Sequence, residues 1–349
     1  MTRRVVIRWA VLLTVMGLSL YLLAPSLLAT FSSFPQLGQF SWWWLVAMVL
    51  LEGGSLACQA GLQRLTLGRP PWFPVATSQL TGNAAAKVVP GGGAAGAAVQ
   101  YGMLRESGIP GTTAVTGVTA SNAVTFAALL ALPLFALPVI VIRGIDVAHD
   151  LQTALWLALV ALVGLLGGGA LLLAKDRPLE AIGNFVERTR NRLRPNKPPR
   201  ILTAERLLRE RDVILRVLGD RWWEALLLVG GRWLLDFGVL ASALYALGSH
   251  PSTALVLLAF VAAQVLALIP VTPGGLGFVE AGLAATLALA GVSAGDAVVA
   301  TLAYRLASYW LPMPVGLAAW ALHKHRIARD GPVIALEPPP QTPAADGKP

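Results

Sequence analysis

The sequence predicts an all-α polytopic membrane protein, with about six spanning helices and two re-entrant helical hairpins arranged as an inverted repeat. Three observations predict it. The chain is 56% hydrophobic and only 13% charged, against roughly 25% charged residues in a soluble domain. Six apolar runs, about 5–24, 41–62, 112–140, 151–174, 222–248 and 296–320, approach or exceed the ~20 residues that cross a ~30 Å hydrocarbon core. Two further apolar stretches, 74–106 and 253–291, are broken near the middle by Pro90-Gly91-Gly92 and by Pro273-Gly274-Gly275. Eight or more full spans are the alternative reading.

Basic residues orient the spans, because cytoplasmic loops carry the excess of Lys and Arg. Arg3, Arg4 and Arg8 place the N-terminus inside, and 5–24, a basic start followed by an apolar run with no clear small-x-small cleavage pattern, reads as an uncleaved first span. Arg64 and Arg69 mark the return to the cytoplasm after 41–62. Between Lys175 and Arg221 lie 13 Lys/Arg and 7 Asp/Glu, so this loop holds +6 of the net +9. His323 to Arg326, with Arg329, puts the C-terminus inside as well. Residues 1–330 read as one integral domain, and the Pro-rich 331–349 as a disordered tail. The placement suits a bacterial-type inner membrane, and a basic loop there meets anionic headgroups rather than nucleic acid. Trp42-Trp43-Trp44 and Trp222-Trp223 open spans, as interfacial anchors do.

The broken stretches belong to a repeat, with units at about 41–140 and 222–320. Leu50 to Ala57 (LLEGGSLA) matches Leu234 to Ala241 (LLDFGVLA), and the distance from Pro90 to Gly108 equals that from Pro273 to Gly291, 18 residues. The helix of Glu52 runs inward and that of Asp236 outward, so the units are inverted. Treating 74–106 and 253–291 as hairpins, one entering from each side, keeps every basic loop inside. Broken helices at membrane depth are tolerated only where protein or a watery cavity satisfies the backbone. Interrupted helices at matching positions of an inverted repeat are a feature of secondary transporters, whose site lies near the midplane.

Glu52, Lys87, Asp236, Glu280 and Arg305 sit in or beside apolar segments. A charge at a helix centre costs on the order of 2.5–3.5 kcal/mol on insertion, so each should face inward and have a partner. Lys87, Glu280 and Arg305, with Pro90, Gly91, Gly92, Pro273, Gly274 and Gly275, are the candidate substrate-binding residues. Glycine frees amide N–H groups to meet a ligand, and half-helices starting after each proline would aim positive ends at an anion such as a lipid phosphate. Glu280, seven residues beyond Pro273, is expected two turns into its half-helix and able to pair with Arg305. Glu52 and Asp236 occupy equivalent positions, as pseudo-symmetric partners or a proton site. Asn83, Asn122, Gln264, Tyr304 and Tyr309 form a second group of polar candidates. The bland alternative is that these charges pair with one another and only fix helix register.

The motif Pro273-Gly274-Gly275-Leu276-Gly277 with Glu280, then Gly291-Val292 and Ala300 to Pro312 (ATLAYRLASYWLP), resembles the lysylphosphatidylglycerol synthase transmembrane, or flippase-like, family. PGGGAAG, from Pro90, followed by GIPGTTAV, from Gly108, resembles its first half, so the likeness spans roughly residues 5–325. The resemblance implies a region that moves or presents lipids such as aminoacylated phosphatidylglycerol, polyprenyl-linked sugars or hopanoids. The aminoacyl-transferase domain of some members is not expected here.

No enzyme signature is present in the sequence. His149, His250, His323 and His325 fall in loops or the tail, and with the single Cys58 they assemble no metal site. PGGGAAG lacks the Gly-Lys-Ser/Thr ending of a P-loop, and no cofactor is implied. The leading expectation is a lipid transporter driven by a gradient, with Glu52, Asp236 or Glu280 as proton carrier, or by product removal. The alternative is an accessory subunit or transferase serving lipid-biosynthesis enzymes.

Overall fold

The computed structural model describes residues 41–89, 92–136, 204–267 and 275–333, with Val160, Val163, Gly164, Gly167 and Gly168 between them. The expected spans 5–24 and most of 151–174, most of the basic loop and of the tail, and Pro90, Gly91, Pro273 and Gly274 lie outside the described residues. Every described element is helical: α1 Trp42–Thr66, α2 Trp72–Val88, α3 Gly92–Glu106, α4 Gly111–Ala131, α5 Ala204–Ala246, α6 Thr253–Leu266, α7 Phe278–Leu289, α8 Ala294–Arg305, a π turn Leu306–Trp310, and α9 Pro312–Asp330. Among them, 3 helices are long and apolar enough to cross a membrane: Trp42–Thr66, Gly111–Ala136 and Arg221–Ala246. α5 is broken at Arg221 (φ −134°, ψ 29°), where the expected cytoplasmic loop ends and the span begins.

The two broken stretches fold as helix pairs too short to span. α2 and α3 have 17 and 15 residues, α6 and α7 have 14 and 12, so at 1.5 Å per residue each falls short of a ~30 Å core. α2 and α3 run antiparallel at close range. A Cβ on Gly96 would stand 2.5 Å from the Gly82 carbonyl oxygen, and one on Gly82 would stand 2.3 Å from the Gln100 side chain. α7 folds back on α6 in the same manner, with Leu266 filling the space beside Gly282.

The halves match in detail. Gly108 (φ 93°) and Gly291 (φ 91°) end α3 and α7 in the left-handed conformation open to glycine. After each, the next residue donates back to the same helical position, Ile109 to Leu104 and Val292 to Leu287. α1 and α5 cross antiparallel, with Leu51 against Gly238 and Leu235 against Gly54. Leu51 is the repeat equivalent of Leu235, and Gly54 that of Gly238, so these contacts are one contact seen twice. Glu52 and Asp236 therefore flank the point where the halves cross.

A core of Trp233, Leu240, Phe260, Leu283 and Leu287 joins α5, α6 and α7 around that crossing. Large apolar side chains point outward instead on the long helices: Leu50, Phe135, Leu234 and Leu317 are each at least 66% exposed. In water such a surface would be a liability; facing lipid it is the norm. Charges gather at one end, where Arg69 pairs with Glu224 and Lys324 with Glu106. Arg64 lies over Trp72 and Arg326 over Phe73. The opposite end carries Trp44 stacked with Tyr245, and Ser249 donating to Asp296.

The span expected at 296–320 departs from a plain α-helix. Proline has no N–H, so Pro312 leaves the Ser308 carbonyl without its helical donor. The backbone accommodates this with the π turn, in which Leu311 donates to Leu306, five residues back. The helix then runs on to Asp330.

Candidate functional site

Six charged side chains meet around the crossing: Glu52 on α1, Lys87 on α2, Arg232 and Asp236 on α5, Glu280 on α7 and Arg305 on α8. Lys87 lies within electrostatic range of Glu52, Arg305, Asp236 and Arg232. Three carboxyls face three cations, so the formal charges cancel.

Asp236 is the most fully held. Its Oδ1 accepts from the Tyr304 hydroxyl at 2.9 Å, and Gln264 donates to that hydroxyl at 2.7 Å. Arg232, one turn before Asp236, approaches Oδ2 at 3.4 Å, so its attraction is mainly coulombic rather than a hydrogen bond of good geometry. The Arg232 guanidinium also lies 4.0 Å from the Trp233 ring centroid, and Trp233 donates to the Thr125 carbonyl.

Arg305 Nε donates to Glu280 Oε1 at 2.8 Å, as the sequence expects, with the two side chains only 8% and 14% exposed. The surroundings of Glu280 correct one expectation. It lies in the first turn of α7, not two turns in. Gly275 (φ 71°) and Gly277 (φ 77°) keep the chain out of the helix until Phe278. A carboxylate in a first turn interacts favourably with the helix dipole, so Glu280 itself occupies the position proposed for a ligand anion. Its Oε2 is buried with no hydrogen-bond partner among the described residues.

The π turn completes the arrangement. Lys87 Nζ donates to the Ser308 carbonyl that Pro312 leaves open. In return, the Tyr309 hydroxyl donates at 2.8 Å to the Lys87 carbonyl, an orphan acceptor at the end of α2. The Arg305 guanidinium lies 4.1 Å from the Tyr309 ring centroid, a cation–π contact. Through these contacts the α8–π segment bridges the two helix pairs, at the end of α2 and the start of α7. Gly92 (φ 48°) and Gly275 flank the two breaks.

Glu52 and Asp236 join the cluster, as do Gln264, Tyr304 and Tyr309 of the second group, whereas Asn122 is exposed and Asn83, on α2, is half-buried. Arg232 and the Ser308 carbonyl are members that sequence reasoning missed. Arg232 had a signal, a cation four residues before an intramembrane acid on one helix. A separate crevice between Phe237, Leu244, Tyr245 and Val256 has no charged side chain in its lining. Among the described residues no three His, Cys, Asp or Glu gather to hold a metal ion.

None of the curated proteins compared matches the chain, and none of the solved structures does. The family model described as the lysylphosphatidylglycerol synthase TM region matches residues 5–316. That match covers both halves and every residue of the charged cluster, and the chain, a multi-pass membrane protein, belongs to the lysylphosphatidylglycerol synthase transmembrane-region family.

Proposed function

We propose that the chain is a flippase-like lipid transporter of a bacterial-type inner membrane, with both termini cytoplasmic. The two helix pairs are re-entrant hairpins on this reading, entering from opposite faces. An anionic headgroup enters the charged cluster between them while its acyl chains stay in the bilayer. The observation that carries the reading is the cluster itself: Lys87, Arg232 and Arg305 interleaved with Glu52, Asp236 and Glu280, buried where two matching halves cross. Six intramembrane charges cost far more than helix packing requires. The basic end formed by Arg64, Arg69, Lys324 and Arg326 is the cytoplasmic one by the positive-inside rule.

The experiment is leaflet movement of labelled anionic phospholipid in proteoliposomes. Lys87→Ala removes a cation that the headgroup would meet, and truncating one partner of a buried charge pair costs about 2–5 kcal/mol. At 1.4 kcal/mol per decade, movement falls roughly tenfold or more. Glu280→Ala, which leaves Arg305 without its carboxylate, falls likewise. Wild-type rates in both variants would sink the site. Unchanged leaflet distribution, with a lipid product lost on deletion of the gene, favours an accessory or transferase role.

A further inference from the structure

Glu52 and Asp236 hold equivalent positions in the two halves, yet their surroundings differ. Asp236 has both oxygens engaged, by Tyr304 on one and by Gln264 and Arg232 at 3.4 Å on the other. Glu52 is 5% exposed, and its Oε2 is buried without a hydrogen-bond partner among the described residues. The difference is written in the sequence: offset by one repeat, Arg232 corresponds to Met48. The first half thus lacks the cation that sits one turn from the acid in the second. The groups facing Glu52 are Asp236 and Arg232 from α5, Lys87 from α2 and Tyr304 from α8.

We propose that Glu52 is a proton-binding site, and that its protonation is linked to the entry of an anionic group into the cluster. The inference rests on the transport reading above for the anion, but not for the proton. With all six groups ionised the cluster is neutral. One proton from water adds to the Glu52 carboxylate, giving a neutral carboxyl and leaving the cluster with one positive charge in excess. An anion of one negative charge, such as a phosphodiester, restores neutrality. Each event therefore favours the other, and the coupling is reciprocal. Glu52 suits the role because its Oε2 is buried with no hydrogen-bond partner among the described residues, so proton exchange there breaks no existing bond. Asp236, held by Tyr304 and Gln264, is the fixed counterpart that keeps the crossing in register.

Infrared difference spectroscopy of the full chain in lipid nanodiscs, titrated with acid and base in sodium-free buffer, reads the proton directly. The expected result is a titrating carboxyl C=O band that disappears in Glu52→Gln and persists in Glu280→Gln. A band unaffected by Glu52→Gln, no titrating band, or a change driven by sodium rather than pH overturns the proton site. Proton uptake is then followed with an indicator dye when short-chain phosphatidylglycerol is added in weak buffer. Uptake in wild type and none in Glu52→Gln, with lipid still bound, supports the linkage. Binding without uptake, or equal uptake in Glu52→Gln, overturns it. If this lipid does not bind wild type, the headgroup reading and the linkage fall together, while the infrared result still decides the proton site.

Discussion

Glu280 and Arg305 bury two opposite charges against one another, and such pairs are asymmetric in what they cost. Intact, they offset much of their desolvation; with one partner removed, the other is left uncompensated at about 3–5 kcal/mol. Glu280→Ala should therefore lower the unfolding midpoint in detergent far more than Glu280→Gln, which keeps an acceptor for Arg305 Nε. Equal midpoints for the two variants would mean that the pair contributes little to stability. Tyr304 supplies the same kind of contrast without a charge. Tyr304→Phe keeps the ring that packs edge-on to Phe260 but strips the donor from Asp236 Oδ1, a loss of about 1–3 kcal/mol. The same detergent melts measure it. The charged pair was legible in the sequence because an acid and a base stood out against apolar neighbours. Arg232 was passed over although it stands four residues before Asp236, a spacing that places both on one helix face.

At the scale of elements, the close approach of α2 and α3 depends on two glycines rather than on side-chain complementarity. Gly96→Ala would drive a Cβ into the backbone carbonyl of Gly82, which cannot rotate away, and overpacking of this kind costs about 1–3 kcal/mol. Gly102, on the same helix, has nothing within 4 Å of a built Cβ. Gly102→Ala should instead gain roughly 0.5–1 kcal/mol from backbone entropy. Opposite signs in the two melting shifts are the expected outcome. Repeat spacing marked Gly108 and Gly291 as matching positions, and each follows the end of its helix, although α3 has 15 residues and α7 only 12 because Gly275 and Gly277 delay the start of α7. The π turn was not read, although Pro312 stood within the expected span. A proline predicts that a carbonyl is freed; it does not say what will bond to it. Only the fold brings Lys87 to Ser308.

The whole molecule is organised by the crossing of α1 and α5, and that crossing is where the repeat was most legible and the span count least so. LLEGGSLA and LLDFGVLA pair because Leu and Gly exchange places across the axis, a consequence of antiparallel packing between like segments. How many segments cross the membrane depends instead on how deep the two helix pairs sit, which apolarity alone does not encode. The crossing offers a sharp test through a residue already present. A Cβ built on Gly231 stands 3.1 Å from the Cys58 sulfur, a separation that suits a disulfide without moving either helix. Gly231→Cys should thus form an intrachain bridge to Cys58 under mild oxidation in native membranes, detected as a faster-migrating band that reductant reverses. Gly230→Cys, one residue away, is the control: its built Cβ has nothing within 4 Å, so it should remain unbridged and reactive toward thiol-alkylating reagents. Equal bridging by both variants would mean the helices slide or rotate past one another. Failure of Gly231→Cys alone would place α1 and α5 in a different register, and with it move Glu52 away from Asp236.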